Sequence, residues 1–273
     1  MVWPVLRPLL IALLLFGPLA RAAFADGPIV ASFQSVLGNF DVLLNPVAAP
    51  ISVANFTGYA NRGAYDTTLI HRSTTGKPFS IQIVQGGGFE LIGNSITPIL
   101  TDPPIPLEAG VANTRGTLAM ARANDPNSAT SQWYFNVTSN PGLDFNYTVF
   151  GRVLGAGISV VDAIGKVLVY DASEILGPTF TELPLFANTL QAQNLVLINS
   201  VRVEPFAITN FTRSGNTAEL RWQALSTNTP IRVERSTVLS GPWTAIATNL
   251  ISGSFTDTNA PSGSAFYRLI TEP

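Results

Sequence analysis

Two stretches of this chain hold residues whose types and spacing suit chemistry. Arg72 follows His71, the single histidine, and Gln85 heads the run Gln85-Gly86-Gly87-Gly88-Phe89. Further on, Gly116-Thr117-Leu118-Ala119-Met120-Ala121-Arg122 leads into Ser131-Gln132-Trp133-Tyr134-Phe135-Asn136. Folded together, these stretches offer a guanidinium, side-chain amides and apolar side chains, and no nucleophile. Such a set can act by stabilising a redistribution of charge. Arginine keeps its charge at any physiological pH, and its planar fork donates hydrogen bonds without releasing a proton.

These segments, in this order, resemble the active-site segments of the cyclophilins, the peptidyl-prolyl cis-trans isomerases. The resemblance covers roughly residues 29–203 and is most specific between Gly116 and Asn136. It implies that Arg72 is the catalytic arginine and that Gln85 hydrogen-bonds the substrate backbone. It further implies that Ala121, Gln132, Tyr134 and Leu143 line the proline pocket and its neighbouring groove, with Ile83 at a pocket position usually held by Met or Val. Tyr147 stands where many members carry histidine, and Arg122 is expected to act through its backbone. No cofactor is implied. The physical logic agrees. The barrier to X-Pro rotation, ~18–20 kcal/mol, is amide resonance, and uncatalysed rotation takes tens of seconds or longer. A donor that favours a pyramidal, non-conjugated proline nitrogen lowers that barrier. An apolar socket for the ring and a grip on a neighbouring carbonyl complete the requirement.

The chain also departs from the pattern. Twelve residues, 73–84, separate Arg72 from Gln85, an insertion of five relative to the family. Gln82 occupies the position of the pocket phenylalanine, with Phe79 or Ile81 as candidate replacements, and Gly142 stands where an aromatic usually lines the ligand-binding edge. The inserted Thr74, Thr75, Gly76 and Lys77 read as a solvated excursion. These departures keep a second reading open: a weakly active or inactive module of the same fold that binds Pro-containing peptides. A third is a structural or matrix protein that works through its C-terminal module. Taken singly, the residues have plainer readings too. An isolated arginine beside a strand is ordinarily a surface charge, and His71 alone reads as a packed core histidine. The glycine run lacks the helix and lysine a phosphate loop needs and reads as backbone turns.

Composition narrows the field. The chain has 273 residues, 46% hydrophobic and 12% charged, with a formal net charge of −2 and no basic cluster, which argues against a nucleic-acid partner. It has no cysteine, which removes disulfides and thiolate chemistry, and one histidine is too few for a His-built metal site, so no metal is expected. Residues 1–25 read as a signal peptide, with Arg7, an apolar run from Leu9 to Leu19 and Ala23-Phe24-Ala25 as the cleavage signal. That run is too short to span a ~30 Å hydrocarbon core, so no membrane span is expected after cleavage. The expected partners are therefore proline-containing segments of exported proteins, and the expected location is the periplasm or the outside of the cell.

The elements that must position the site follow from pattern. Twenty prolines and twenty-two glycines among many Val, Ile, Thr and Phe residues argue for a β-rich fold. Strands are expected over 29–36 and 40–44, turning at Gly38-Asn39. A helix opens at Pro50 with Val53, Phe56, Tyr59 and Ala60 on one face, and a second carries Ile158, Val161 and Ile164. A strong strand over 194–203 ends the first domain. The reading is mostly β: a closed antiparallel eight-stranded barrel capped by two helices over 26–205, followed by a small β-sandwich over 206–273. The latter is loosely similar to fibronectin type III, with alternation at Ala218-Leu220-Trp222 and at Ile231 and Val233, and it is a candidate binder of cell-surface or matrix components.

Overall fold

The computed structural model describes residues 28–75, 81–226 and 229–271. The expected signal segment and Phe79 lie outside the described residues. Two compact units emerge, one built from residues 31–153 and 157–203, the other containing the chain from 204 onward.

In the first unit, the hairpin of β1 (Ile29–Ser35) and β2 (Gly38–Leu44) turns at Gly38, whose φ of +131° is open to glycine at little cost. Helix α1 (Pro50–Asn61) starts on proline, where the missing N–H costs nothing, and buries Val53, Phe56, Tyr59 and Ala60. There follow β3 (Thr68–Leu69), β4 (Arg72–Ser73), β5 (Ile83–Gly86), β6 (Phe89–Ile92), β7 (Ser95–Pro98), β8 (Thr117–Met120), β9 (Trp133–Asn136) and β10 (Val149–Val153). Helix α2 (Ile158–Gly165) buries Val161 and Ile164. β11 (Val169–Tyr170), the single turn α3 (Ser173–Leu176), β12 (Leu183–Pro184) and β13 (Leu197–Pro205) complete the unit. β13 begins later than the expected Asn194, because Asn194 closes a 3-10 turn by donating to Gln191 O at 2.9 Å.

The expected closed eight-stranded barrel is replaced by an open, curled sheet of eleven strands in the order β4-β5-β9-β8-β10-β2-β1-β13-β3-β6-β7. The reason lies in one extended segment, residues 68–73. Its first half pairs with β13 and β6, and its second half with β5. The ladder changes partners at Ile70, which donates to Val196 O, and His71, which donates to Gln85 O. The sheet curls far enough for one segment to supply both its first strand, β4, and β3, third from the other end, but no continuous ladder joins the two ends.

One face of the sheet packs an aromatic core. Phe33 stacks on Phe40 at 4.9 Å and meets Trp133 and Phe135 edge-on at 5.4 Å, while Phe56 reaches Phe150 at 5.3 Å. Trp133 and Phe135 face this core, as their alternation with Tyr134 predicts. In the second unit, β14 (Ile208–Ser214), β15 (Thr217–Trp222) and β18 (Ser254–Asp257) form one three-stranded sheet, and β16 (Ile231–Ser236), β17 (Thr244–Leu250) and β19 (Phe266–Thr271) another. Phe211 of the first sheet meets Tyr267 of the second at 5.7 Å, and Tyr267 donates to Asp257 across them at 2.8 Å.

Candidate active site

Register places the site. Arg72 of β4 lies opposite Gln85 of β5, Gln85 opposite Tyr134 of β9, and Tyr134 opposite Ala119 of β8. These four residues form one row across four strands. Because side chains alternate, Ile83 shares a face with Gln85, while Val84 and Phe135 take the aromatic core on the other face. The row therefore sets a cation, an amide and a phenol side by side over apolar neighbours.

Above this row lies a cavity of about 520 Å³ lined by Arg72, Thr74, Ile81, Ile83, Gln85, Ala121, Arg122, Tyr134, Leu143, Tyr147 and Glu182. Its floor is the buried cluster of Ile83, Ala119, Tyr134, Leu143 and Val149, against which Ala121 and Tyr147 pack. Tyr147 meets Tyr134 edge-on at 5.9 Å, and the Arg122 guanidinium lies 4.6 Å from the Tyr147 ring centre. Burial holds the Tyr134 hydroxyl well above the usual phenol range, so it stays neutral and donates to Asn113 Oδ1 at 2.8 Å.

The Arg72 guanidinium is fixed from two sides. Nε donates to Glu182 Oε2 at 2.8 Å, and Nη1 lies 3.5 Å from Gln85 Oε1. The Arg72 side chain is 42% exposed, so the fork still faces the opening, while that of Glu182 is only 10% exposed. Gln85 in turn donates from Nε2 to Gln132 Oε1 at 2.8 Å. A chain of polar contacts from Glu182 through Arg72 and Gln85 to Gln132 orders the donor before any substrate arrives.

Eight of the nine expected site residues surround the cavity: Arg72, Gln85, Ile83, Ala121, Arg122, Tyr134, Leu143 and Tyr147. Gln132, the ninth, stands behind Gln85: its side chain lies against Gly88, where an added Cβ would come within 2.8 Å, and its Oε1 accepts from the Gln85 amide. The Arg122 side chain does more than its expected backbone role, donating to the carbonyls of Asn146, Ala123 and Asn124 and so tying two loops together. Ile81 and Ile83, on either side of Gln82, line the cavity. The backbone of Gln82 is held by Asn140, which accepts from Gln82 N at 3.0 Å and donates to Gln82 O at 3.1 Å.

The insertion is anchored at its base. Thr74 is buried, its hydroxyl accepts from Ile83 N at 3.0 Å, and Thr75 donates to Gly165 O. These two threonines are therefore not the solvated excursion that their composition suggests. The glycine run is a packing requirement as well as a turn. A Cβ on Gly86 would meet the Trp133 ring at 2.7 Å, and on Gly87, at φ +74°, at 2.5 Å.

Glu182 is the site residue that sequence reasoning missed. It lies 110 positions from Arg72, beyond any motif, and the signal that could have found it is a lone acid in the apolar stretch Phe180 to Leu185. Ser73 N donates to Glu182 O at 2.9 Å, and Phe180, Leu183 and Leu185 pack with Leu69, which carries the carboxylate to Arg72. His71 is buried, with its ring edge-on to Phe89 at 5.0 Å. Desolvation lowers its pKa to about 4, partly offset by the nearby Gln132 side chain and Leu69 carbonyl, so it is neutral at pH 7. Among the described residues, no group of three or more His, Cys, Asp or Glu is placed to hold a metal ion, and no helix is long and apolar enough to cross a membrane.

Comparison with known proteins gives matching results. The family model described as cyclophilin type peptidyl-prolyl cis-trans isomerase/CLD matches residues 30–179. Peptidyl-prolyl cis-trans isomerase A of Dickeya dadantii (strain 3937) is 40% identical over 148 residues, which is 52% of this chain and 71% of that protein. A peptidyl-prolyl cis-trans isomerase of Acinetobacter baylyi is 40% identical over 161 residues, 56% of this chain and 81% of that protein. A solved cyclophilin type isomerase of Cryptosporidium parvum, determined in the presence of the dipeptide Ala-Pro, covers 64% of this chain and 98% of its own at 18% identity and a TM-score of 0.47.

Proposed function

The chain belongs to the cyclophilin type peptidyl-prolyl cis-trans isomerases, and from that premise we propose how this site catalyses X-Pro rotation and on which proteins. It is an isomerase, and its substrates are X-Pro peptide bonds. The observation that carries the mechanism is the pre-fixed Arg72 fork beside an apolar floor in one cavity.

The proline ring sits on Ile83, Leu143 and the Tyr134 ring, which exclude water from one side of the peptide bond. Arg72 donates to the proline nitrogen as it pyramidalises. That interaction is stronger at the twisted transition state, where the lone pair is no longer shared with the carbonyl, than in the planar ground state. Gln85 holds the neighbouring backbone. No proton is transferred, so the guanidinium needs orientation rather than a tuned pKa, and Glu182 supplies that orientation. The apolar floor is complete without position 82, which favours turnover over mere peptide binding.

The clients we propose are exported proteins, on the strength of Arg7, Leu9 to Leu19 and Ala23-Phe24-Ala25 at the chain's start. The C-terminal sheets are proposed as a small sandwich loosely similar to fibronectin type III, which contacts cell-surface or matrix components and takes no part in turnover. The experiment is isomerisation of a short X-Pro peptide by the wild-type chain, by Arg72→Ala and by a chain lacking residues 206–273. Turnover lost only in Arg72→Ala supports the assignment; equal turnover in all three overturns it.

A further inference from the structure

Phe145 sits at a backbone geometry that a phenylalanine rarely adopts. Its φ is +62°, in the left-handed region where the Cβ of an L residue is crowded. The cause is a turn. Asp144 has φ −59° and ψ 142°, and Asn146 N donates to Leu143 O at 3.2 Å. Residues 143–146 thus form a type II turn with Phe145 at the position that glycine or asparagine normally fills. The turn cannot relax, because it is held on both sides. Asp144 Oδ1 accepts from Asn113 N at 2.6 Å, and Asn146 O accepts from Arg122 Nε at 2.8 Å.

Burial does not explain the ring. Phe145 is 66% exposed, and among the described residues its ring makes no aromatic pairing. A large apolar side chain at a strained position, exposed to water, adds little to the folded state and has a cost. Leu143 and Tyr147, two positions away on either side, both line the cavity. Strain of this kind, rigidly held beside a binding site, points to function.

We propose that Phe145 is a specificity-determining residue of this isomerase, an aromatic platform that packs against a large apolar or aromatic side chain next to the substrate proline. The proposal rests on the cavity being the site of X-Pro rotation. The turn fixes the ring between two cavity-lining residues, so a flanking apolar side chain gains a contact without ordering a loop, whereas a small polar one gains nothing.

The test compares two peptides, Ala-Phe-Pro-Phe-Ala and Ala-Ser-Pro-Ser-Ala, by NMR exchange with the wild-type protein and with Phe145→Asn, Phe145→Tyr and Arg72→Ala. Asparagine accepts the positive φ, so Phe145→Asn removes the ring and keeps the turn. The ratio of kcat/KM for the Phe-flanked over the Ser-flanked peptide is expected to fall about three- to tenfold in Phe145→Asn, mainly through KM, and to be restored in Phe145→Tyr. The melting temperature of Phe145→Asn is expected not to fall, which separates a recognition role from a structural one. An unchanged ratio in Phe145→Asn, with Arg72→Ala still inactive, overturns the platform and leaves the site intact. Full activity in Arg72→Ala overturns both.

Discussion

Arg72 Nε and Glu182 Oε2 lie 2.8 Å apart, and this one contact joins a motif arginine to a carboxylate from the far end of the same unit. The buried side of the pair is Glu182. It holds the guanidinium by Nε and leaves the Nη end toward the cavity. If orientation is what Glu182 contributes, Glu182→Ala lowers kcat by about tenfold with little change in KM, since a displaced donor weakens the transition state more than the ground state. Glu182→Gln, which keeps an acceptor, recovers part of it. In the Arg72→Ala background, Glu182→Ala has no further effect on turnover. A second drop in that background would mark the acid as a fold residue only.

Removing the donor itself has a larger effect. Arg72→Ala is expected to lower kcat/KM by about 10²–10³, the usual range for losing a donor aimed at developing charge. Arg72→Lys does not rescue, because an ammonium cannot bond Glu182 and the proline nitrogen with one planar fork. Circular dichroism of both variants should match the wild type; near-normal rates in either would place the catalytic donor elsewhere.

Position 82 separates the two ways of reading the insertion. Ile81 and Ile83 line the cavity on either side of Gln82, whose backbone is clamped by Asn140, so Gln82→Phe leaves kcat/KM within about twofold. Ile83→Ala, by contrast, opens the buried floor and is expected to cost about 2–5 kcal/mol of stability along with substrate affinity. Peptide kinetics and thermal melts on the two variants decide this, and a strong gain from Gln82→Phe would mean the loop swings inward in solution.

Gly87→Ala tests whether the glycine run is a packing device. The new Cβ would stand 2.5 Å from Trp133 Nε1 at a φ of +74°, so strain and overpacking coincide. The expected loss is about 2–5 kcal/mol, measured by denaturant unfolding. A loss below about 0.5 kcal/mol would show that Trp133 yields freely.

His71 gives the protein a specific acid sensitivity. Its folded pKa of about 4 lies below the ordinary value of 6.5, so the unfolded chain binds the proton more readily. Its contribution to stability is complete above pH 6.5, and is lost progressively as pH falls from there through about 4. The full contribution is on the order of 3 kcal/mol. As the single histidine, its ring resonances can be followed without ambiguity by NMR. A titration midpoint near 6.5 in the folded protein would contradict the buried, neutral state.

The sequence by itself determined the elements and most of the site. Alternation at Trp133-Tyr134-Phe135 told which side chains enter the core, Pro50 and the 3.6-residue spacing after it told where α1 begins, and the ordered motifs told which arginine, glutamine and apolar residues share a cavity. Those signals are local, because each depends on neighbours within a few residues. What the tertiary structure decided are contacts between distant segments. The sheet stays open, not a closed barrel, through a partner switch at Ile70-His71, which no pattern within the segment records. Gln132 came to hold Gln85 because Gly88 gives its side chain a place to lie. Glu182 reached Arg72 only because Phe180, Leu183 and Leu185 pack against Leu69 and carry it there. Phe145 became an exposed platform because Asn113 and Arg122, from two other loops, lock its turn. A pairing across a hundred residues leaves no periodicity in either partner, so only the folded chain can reveal it.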